Sequence, residues 1–131
     1  MIDLNWVQGL IIDMDGVLWR GHTLLEGVPE LFDHMRQRDL KFTLATNNAT
    51  ATPAKFAERL RSGRVEVSTE NIVTSALATS SYLSEYYPDS ANLLVIGDTG
   101  LRSALTDQGF TIVDSAEQAE AVVVGMDPTV N

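Results

Sequence analysis

The 131-residue chain has no cysteine, so neither a disulfide scaffold nor a cysteine-based metal site is open to it. Basic residues are scarce, with nine Lys and Arg against eighteen Asp and Glu. The resulting formal charge of −9 argues against a general binder of nucleic-acid polymers, whose affinity comes largely from cations facing phosphates. It does not exclude a small anionic substrate, because a bound divalent cation reverses the field around itself. Only two lysines occur, Lys41 and Lys55. No apolar run approaches the roughly 18 residues of a membrane span, and MIDLNW lacks the basic start of a signal peptide. These absences lead us to expect a soluble, cytoplasmic chain with no membrane partner. A 44% hydrophobic content is too high for disorder and sufficient for a packed core.

What is present alternates. An apolar run from Val7 to Ile12 ends in Asp13-Met14-Asp15-Gly16 and reads as a buried strand meeting a loop. Pro29 suits the first turn of a helix with Leu31, Phe32 and Met35 on one face. Lys41 to Ala45 reads as a second strand closing in Thr46-Asn47-Asn48, and Thr52-Pro53 opens a helix with Phe56 and Leu60 four apart. Ile72-Val73-Thr74 is a short third strand, and a helix from Ser75 to about Tyr86 places Ala76, Leu83 and Tyr87 on one side. Tyr87-Pro88-Asp89-Ser90 is the clearest break. The pattern then restarts with a strand at Leu93–Ile96, a helix at Leu101–Gln108, and strands at Phe110–Val113 and Ala121–Val124. Strand and helix in alternation predict an α/β fold with mostly parallel strands.

In such folds reactive groups collect where strands end. Asp13 and Asp15, two residues apart past the first strand, can offer oxygen ligands to a hard cation, or divide nucleophile and proton-transfer roles. Gly16 lets the backbone turn sharply. The same residues also make an ordinary strand-ending turn. A calcium loop is excluded, because its twelfth position, counted from Asp13, is Leu24 rather than Glu. Thr46, Asn47 and Asn48 offer a hydroxyl, amides and backbone N–H groups to phosphate oxygens, or simply form an Asn-rich turn. If the first two strands are adjacent and parallel, both loops open on one crevice.

The ordered segments DMDGVLWRG, PELFDHM, TLATNNAT and IVTSALATSSYL resemble the haloacid dehalogenase-like (HAD) phosphatases, most closely their NagD-like, p-nitrophenyl phosphatase subfamily. The stretch VIGDTGLRSALTDQGF with AVVVGMDPTVN is similar to the start of that subfamily's large α/β cap. The resemblance implies a Rossmann-like core, a parallel sheet with helices on both faces, over residues 1–87, and the beginning of a cap over residues 88–131. It implies that Asp13 is the nucleophile that becomes phosphorylated and a ligand to Mg²⁺. Asp15 would protonate the leaving oxygen, activate the hydrolytic water and bind the metal through its backbone carbonyl. Thr46, helped by the Asn47 backbone, would hold a phosphoryl oxygen. The implied partner is a small phosphorylated metabolite, and the full-length protein could form a homo-oligomer through its cap.

Members of the subfamily continue past a complete cap to a Gly-Lys-Pro lysine and an acidic Gly-Asp loop. Neither follows in this sequence, so the expectation is a truncated chain holding the nucleophile half of the site and weakly active or inactive alone. Gly97-Asp98 is a poor substitute for the acidic loop, since Arg102 stands where a second carboxylate belongs, and Asp98 or Thr99 reads as a helix start. Lys55 reads as a solvated side chain. Arg20 and His22 read as surface loop residues or a small flap, and Trp19 as packing or closing over the site. A competing function is a non-catalytic α/β module that binds a phosphate ester or a partner chain.

Overall fold

The computed structural model describes residues 6–129. Its elements are β1 (Gly9–Asp13), β2 (Trp19–Arg20), β3 (Thr23–Leu24), α1 (Val28–Gln37), β4 (Lys41–Thr46), α2 (Pro53–Ser62), β5 (Ile72–Thr74), α3 (Ser75–Ser84), β6 (Asn92–Ile96), α4 (Thr99–Asp107), β7 (Thr111–Val113) and β8 (Ala121–Val124). Short 3-10 turns precede β5 and β8. Among the described residues no helix is long and apolar enough to cross a membrane.

The chain divides into two compact units. One joins the chain up to Thr46 with Ala54–Val73; the other joins Asn47–Pro53 with the chain from Thr74 on. The sequence break at Tyr87-Pro88 lies inside the second unit.

In the first unit β1 and β4 are parallel neighbours in register, Gly9 opposite Lys41 and Asp13 opposite Ala45, in a sheet ordered β1-β4-β5. α1 begins after Gly27, with Pro29 in its first turn, where a missing N–H costs nothing. Val28, Phe32 and Met35 form its buried stripe. Leu31, expected on that face, is 41% exposed because it lies at the stripe's margin. Phe32 meets Phe42 of β4 edge to face at 5.2 Å, and α2 buries Phe56, Ala57 and Leu60.

The expectation of a buried first strand is corrected. Leu10 and Ile12 are half-buried, but Gly9, Ile11 and Asp13 are exposed, with Ile11 83% so. β1 is an edge strand among the described residues. The pair β2–β3, unrecognised in the sequence, is a tight antiparallel hairpin in which Arg20 pairs with Thr23 across Gly21-His22.

The second unit holds a parallel sheet ordered β7-β6-β8. Its core includes Ala76, Leu93, Val95, Leu101, Leu105 and Phe110, with Leu83 and Tyr87 against it, as the helical spacing predicts. Thr74 caps α3 by accepting the Leu77 N–H, and Asp98 caps α4 by accepting the Thr99 N–H at 2.6 Å. Gly100 sits where α4 meets the 47–53 segment. A Cβ there would stand 2.5 Å from the Ala49 carbonyl oxygen and 2.6 Å from that of Ala51.

Candidate active site

Parallel pairing of β1 with β4 brings their carboxyl ends side by side, so Asp13 ends one strand next to the end of the other at Thr46. Past Asp13 the chain turns tightly. The Leu18 N–H donates to the Met14 carbonyl at 2.9 Å, and the Gly16 N–H donates to the Trp19 carbonyl at 2.8 Å. Gly16 takes φ +83°, a left-handed conformation that costs other residues roughly 1–2 kcal/mol. Met14 and Leu18 are fully buried and anchor the loop from below, while Asp13 and Asp15 remain exposed. The Asp13 carboxylate accepts the Met14 N–H through Oδ1 at 2.9 Å.

The turn carries Trp19 back to Asp15. The indole Nε1–H donates to Asp15 Oδ1 at 2.8 Å, and the Thr46 hydroxyl donates to Asp15 Oδ2 at 3.0 Å. One oxygen is therefore met by a residue of the hairpin and the other by the last residue of β4. Trp19 is 1% exposed, stacked on Phe56 of α2 with ring centroids 6.0 Å apart, and capped by the Arg59 guanidinium 4.0 Å from its ring centroid. Arg59 also donates to the Gly21 carbonyl, which ties α2 to the hairpin turn. Of the alternatives left open for Trp19, packing is therefore met, and a contact to a site carboxylate comes with it. Four-residue spacing inside a non-helical loop gave no periodic signal of that contact. Arg20 and His22 are exposed on the hairpin. A cavity of about 220 Å³ lined by Trp19, His22, Leu24, Arg59, Ser62 and Gly63 lies at the hairpin; neither Asp13 nor Asp15 lines it.

Thr46 is buried at the end of the first unit, and Asn47 opens the second. Asn47 is exposed, and its backbone carbonyl accepts the Ser75 hydroxyl at 2.9 Å. Asn48 follows the turn reading, its side-chain oxygen accepting both the N–H and the hydroxyl of Thr50. Asp98 is engaged as a helix cap, while Arg102 donates to the carbonyls of Gly97 and Val95. Lys55 is exposed in the first turn of α2.

No group of three or more His, Asp or Glu side chains gathers among the described residues in a way that could cage a metal by itself. The donors at the β1 end are oxygens only: the Asp13 carboxylate and, beside it, Asp15. That set fits a hard divalent cation of the Mg²⁺ type, which is usually bound by one or two carboxylates, with waters and substrate phosphate filling the other positions.

The haloacid dehalogenase-like hydrolase family matches residues 10–111. An acid sugar phosphatase of Staphylococcus epidermidis is 37% identical over 123 residues, which are 94% of this chain and 47% of that protein. A p-nitrophenyl phosphatase from Archaeoglobus fulgidus superposes with a TM-score of 0.85 at 31% identity, over 95% of this chain and 47% of the other. A glycerol phosphate phosphatase from Mycobacterium tuberculosis, solved in complex with magnesium, superposes with a TM-score of 0.85 at 26% identity, over 96% and 38%. The chain thus spans about half the length of the curated relatives it matches.

Proposed function

Because the chain belongs to the haloacid dehalogenase-like hydrolase family, we propose that it supplies the nucleophile, the acid–base carboxylate and the phosphate-binding hydroxyl of a Mg²⁺-dependent phosphatase. The substrate is a small phosphate monoester, a sugar phosphate before others, since a relative matched over 94% of the chain is named for that class. The observation that carries the reading is the convergence of three groups at adjacent strand ends: exposed Asp13, and Asp15 hydrogen-bonded to Thr46.

In the first half-reaction a carboxylate oxygen of Asp13 attacks phosphorus. The ester P–O bond breaks, and Asp15 gives its proton to the departing alkoxide, leaving an aspartyl-phosphate and an alcohol. In the second, Asp15 takes a proton from water as the water oxygen attacks phosphorus. Asp13 leaves as a carboxylate, hydrogen phosphate is released, and Asp15 is protonated again. The Thr46 hydroxyl and the Asn47 backbone hold phosphoryl oxygens during both displacements. Asp13 and the Asp15 backbone carbonyl would hold Mg²⁺, which when bound neutralises charge on the equatorial oxygens. That role suits a chain of formal charge −9 acting on a dianion. We read the restart of the strand–helix pattern after residue 88 as the opening of a cap.

The test is a panel of phosphate monoesters presented with Mg²⁺ to the protein as its gene encodes it. Turnover is expected on sugar phosphates, lost on chelation and lost in Asp13→Asn, while the fold survives because Asp13 is exposed. Full turnover in Asp13→Asn would falsify the covalent mechanism.

A further inference from the structure

The geometry points to Trp19 as the positioning residue that decides which oxygen of Asp15 carries the transferable proton, an inference that rests on the phosphatase reading above. An indole N–H donates and cannot accept, whereas a hydroxyl does both and rotates freely. Asp15 Oδ1 faces the Trp19 N–H at 2.8 Å, so a proton on Oδ1 would oppose that donor. Protonated Asp15 therefore carries its proton on Oδ2, the oxygen 3.0 Å from the Thr46 hydroxyl.

The two donors also differ in mobility. Trp19 cannot turn away, being 1% exposed, stacked on Phe56 at an interplanar angle of 13°, and covered by Arg59. Its backbone is fixed as well, because its carbonyl accepts the Gly16 N–H and its strand pairs with Leu24. The Thr46 hydroxyl needs only a rotation about one bond to redirect its hydrogen from Asp15 to a phosphoryl oxygen. When it does, Asp15 stays pinned through Oδ1 while Oδ2 faces the leaving oxygen. One fixed donor and one exchangeable donor thus convert phosphate binding into exposure of the acid. The hairpin, through Trp19, sets the orientation of a carboxylate it does not itself contain.

The consequence separates positioning from simple support. A general acid matters for an alkoxide leaving group and little for nitrophenolate, which departs without a proton. Trp19→Phe keeps a ring against Phe56 and removes the N–H; 3-benzothienylalanine at position 19 keeps both rings and replaces only the N–H. In both variants kcat/KM on glycerol phosphate, which reports the transfer to Asp13 and not the later hydrolysis common to both substrates, should fall about 10- to 100-fold, while kcat/KM on p-nitrophenyl phosphate falls less than about threefold. Equal losses on the two substrates would reduce Trp19 to a packing residue and overturn the inference. Wild-type protein, as its gene encodes it, that hydrolyses neither of these nor any sugar phosphate would overturn the phosphatase reading, and this role with it. Independently of turnover, the indole N–H resonance of Trp19 should move upfield in Asp15→Ala. An unmoved resonance shows that the hydrogen bond is not made and overturns the inference even in an active phosphatase.

Discussion

Thr46 offers a perturbation in which shape and chemistry can be separated, because Ser and Val each keep one half of its side chain. The residue is 6% exposed at the end of β4 and its hydroxyl donates to Asp15 Oδ2. Thr46→Ser removes one buried methyl, worth about 1 kcal/mol of stability, and keeps the hydroxyl. Thr46→Val keeps the volume and removes the donor. A hydrogen bond is worth about 0.5–1.5 kcal/mol net, and because Asp15 is exposed water takes the vacated position, so the cost is about 1 kcal/mol or less. Both variants should therefore melt within about 4 °C of the parent, measured by circular dichroism or calorimetry. Their activities should diverge. Removing one donor aimed at developing charge costs about 10²–10³ in kcat, so Thr46→Val should lose at least about 100-fold while Thr46→Ser stays within about fivefold. Equal losses in the two variants would refute the reasoning, since the hydroxyl would then be idle. A loss of more than about 3 kcal/mol of stability in Thr46→Val would refute the energetic half, because it would show that water does not replace the donor.

Two further outcomes follow from the second unit. Gly100→Ala should lower the melting temperature although alanine favours helix by up to about 1 kcal/mol, because the added Cβ meets two backbone carbonyls at 2.5 and 2.6 Å that cannot move as side chains do. The expected net loss is about 1–2 kcal/mol by urea unfolding, and a rise in stability would contradict the close approach. Asp127 is held below the usual carboxylate range, chiefly by the Thr129 hydroxyl and then by the Thr129 N–H. A lowered folded-state value means stabilisation that is present above the unfolded carboxylate value and lost as pH falls through the folded one. Thr129→Val should raise the Asp127 titration midpoint, read from its carboxyl ¹³C shift, and shrink that acid-side loss; an unchanged midpoint would rule the hydroxyl out.

Most of the element order was readable from the residues because helices and strands leave periodic marks. Phe56 and Leu60 four apart, Phe32 and Met35, and the run Lys41 to Ala45, which the structure extends by one residue to Thr46, all lie where their pattern predicts. What escaped had no period to show. The hairpin strands Trp19–Arg20 and Thr23–Leu24 are two residues each, too short for alternation to be visible. The exposure of Ile11 escaped for another reason. An apolar run specifies that a strand can be buried, whereas actual burial depends on which layers lie over it. The grouping of Asn47–Pro53 with the chain from Thr74 on depends on packing across sequence, such as Ala49 within the core of the second unit, and no local pattern encodes it.

The candidate site divides along the same line. Asp13, Asp15 and Thr46 could be named because strand ends are readable and their chemistry is unusual. Their proximity followed once β1 and β4 proved parallel and adjacent. The Trp19 contact could not be read that way, since it depends on a left-handed Gly16 folding the loop back by one tight turn. Yet the ingredients were present in DMDGVLW: a carboxylate, a glycine after it, and a donor-only side chain three residues further on. A buried indole N–H needs an acceptor, and the strong acceptors close to it in this loop are the carboxylates of Asp13 and Asp15. That requirement narrows the partner of Trp19 to Asp13 or Asp15 without choosing between them. The conformation of Gly16 then decides whether the chain can meet it.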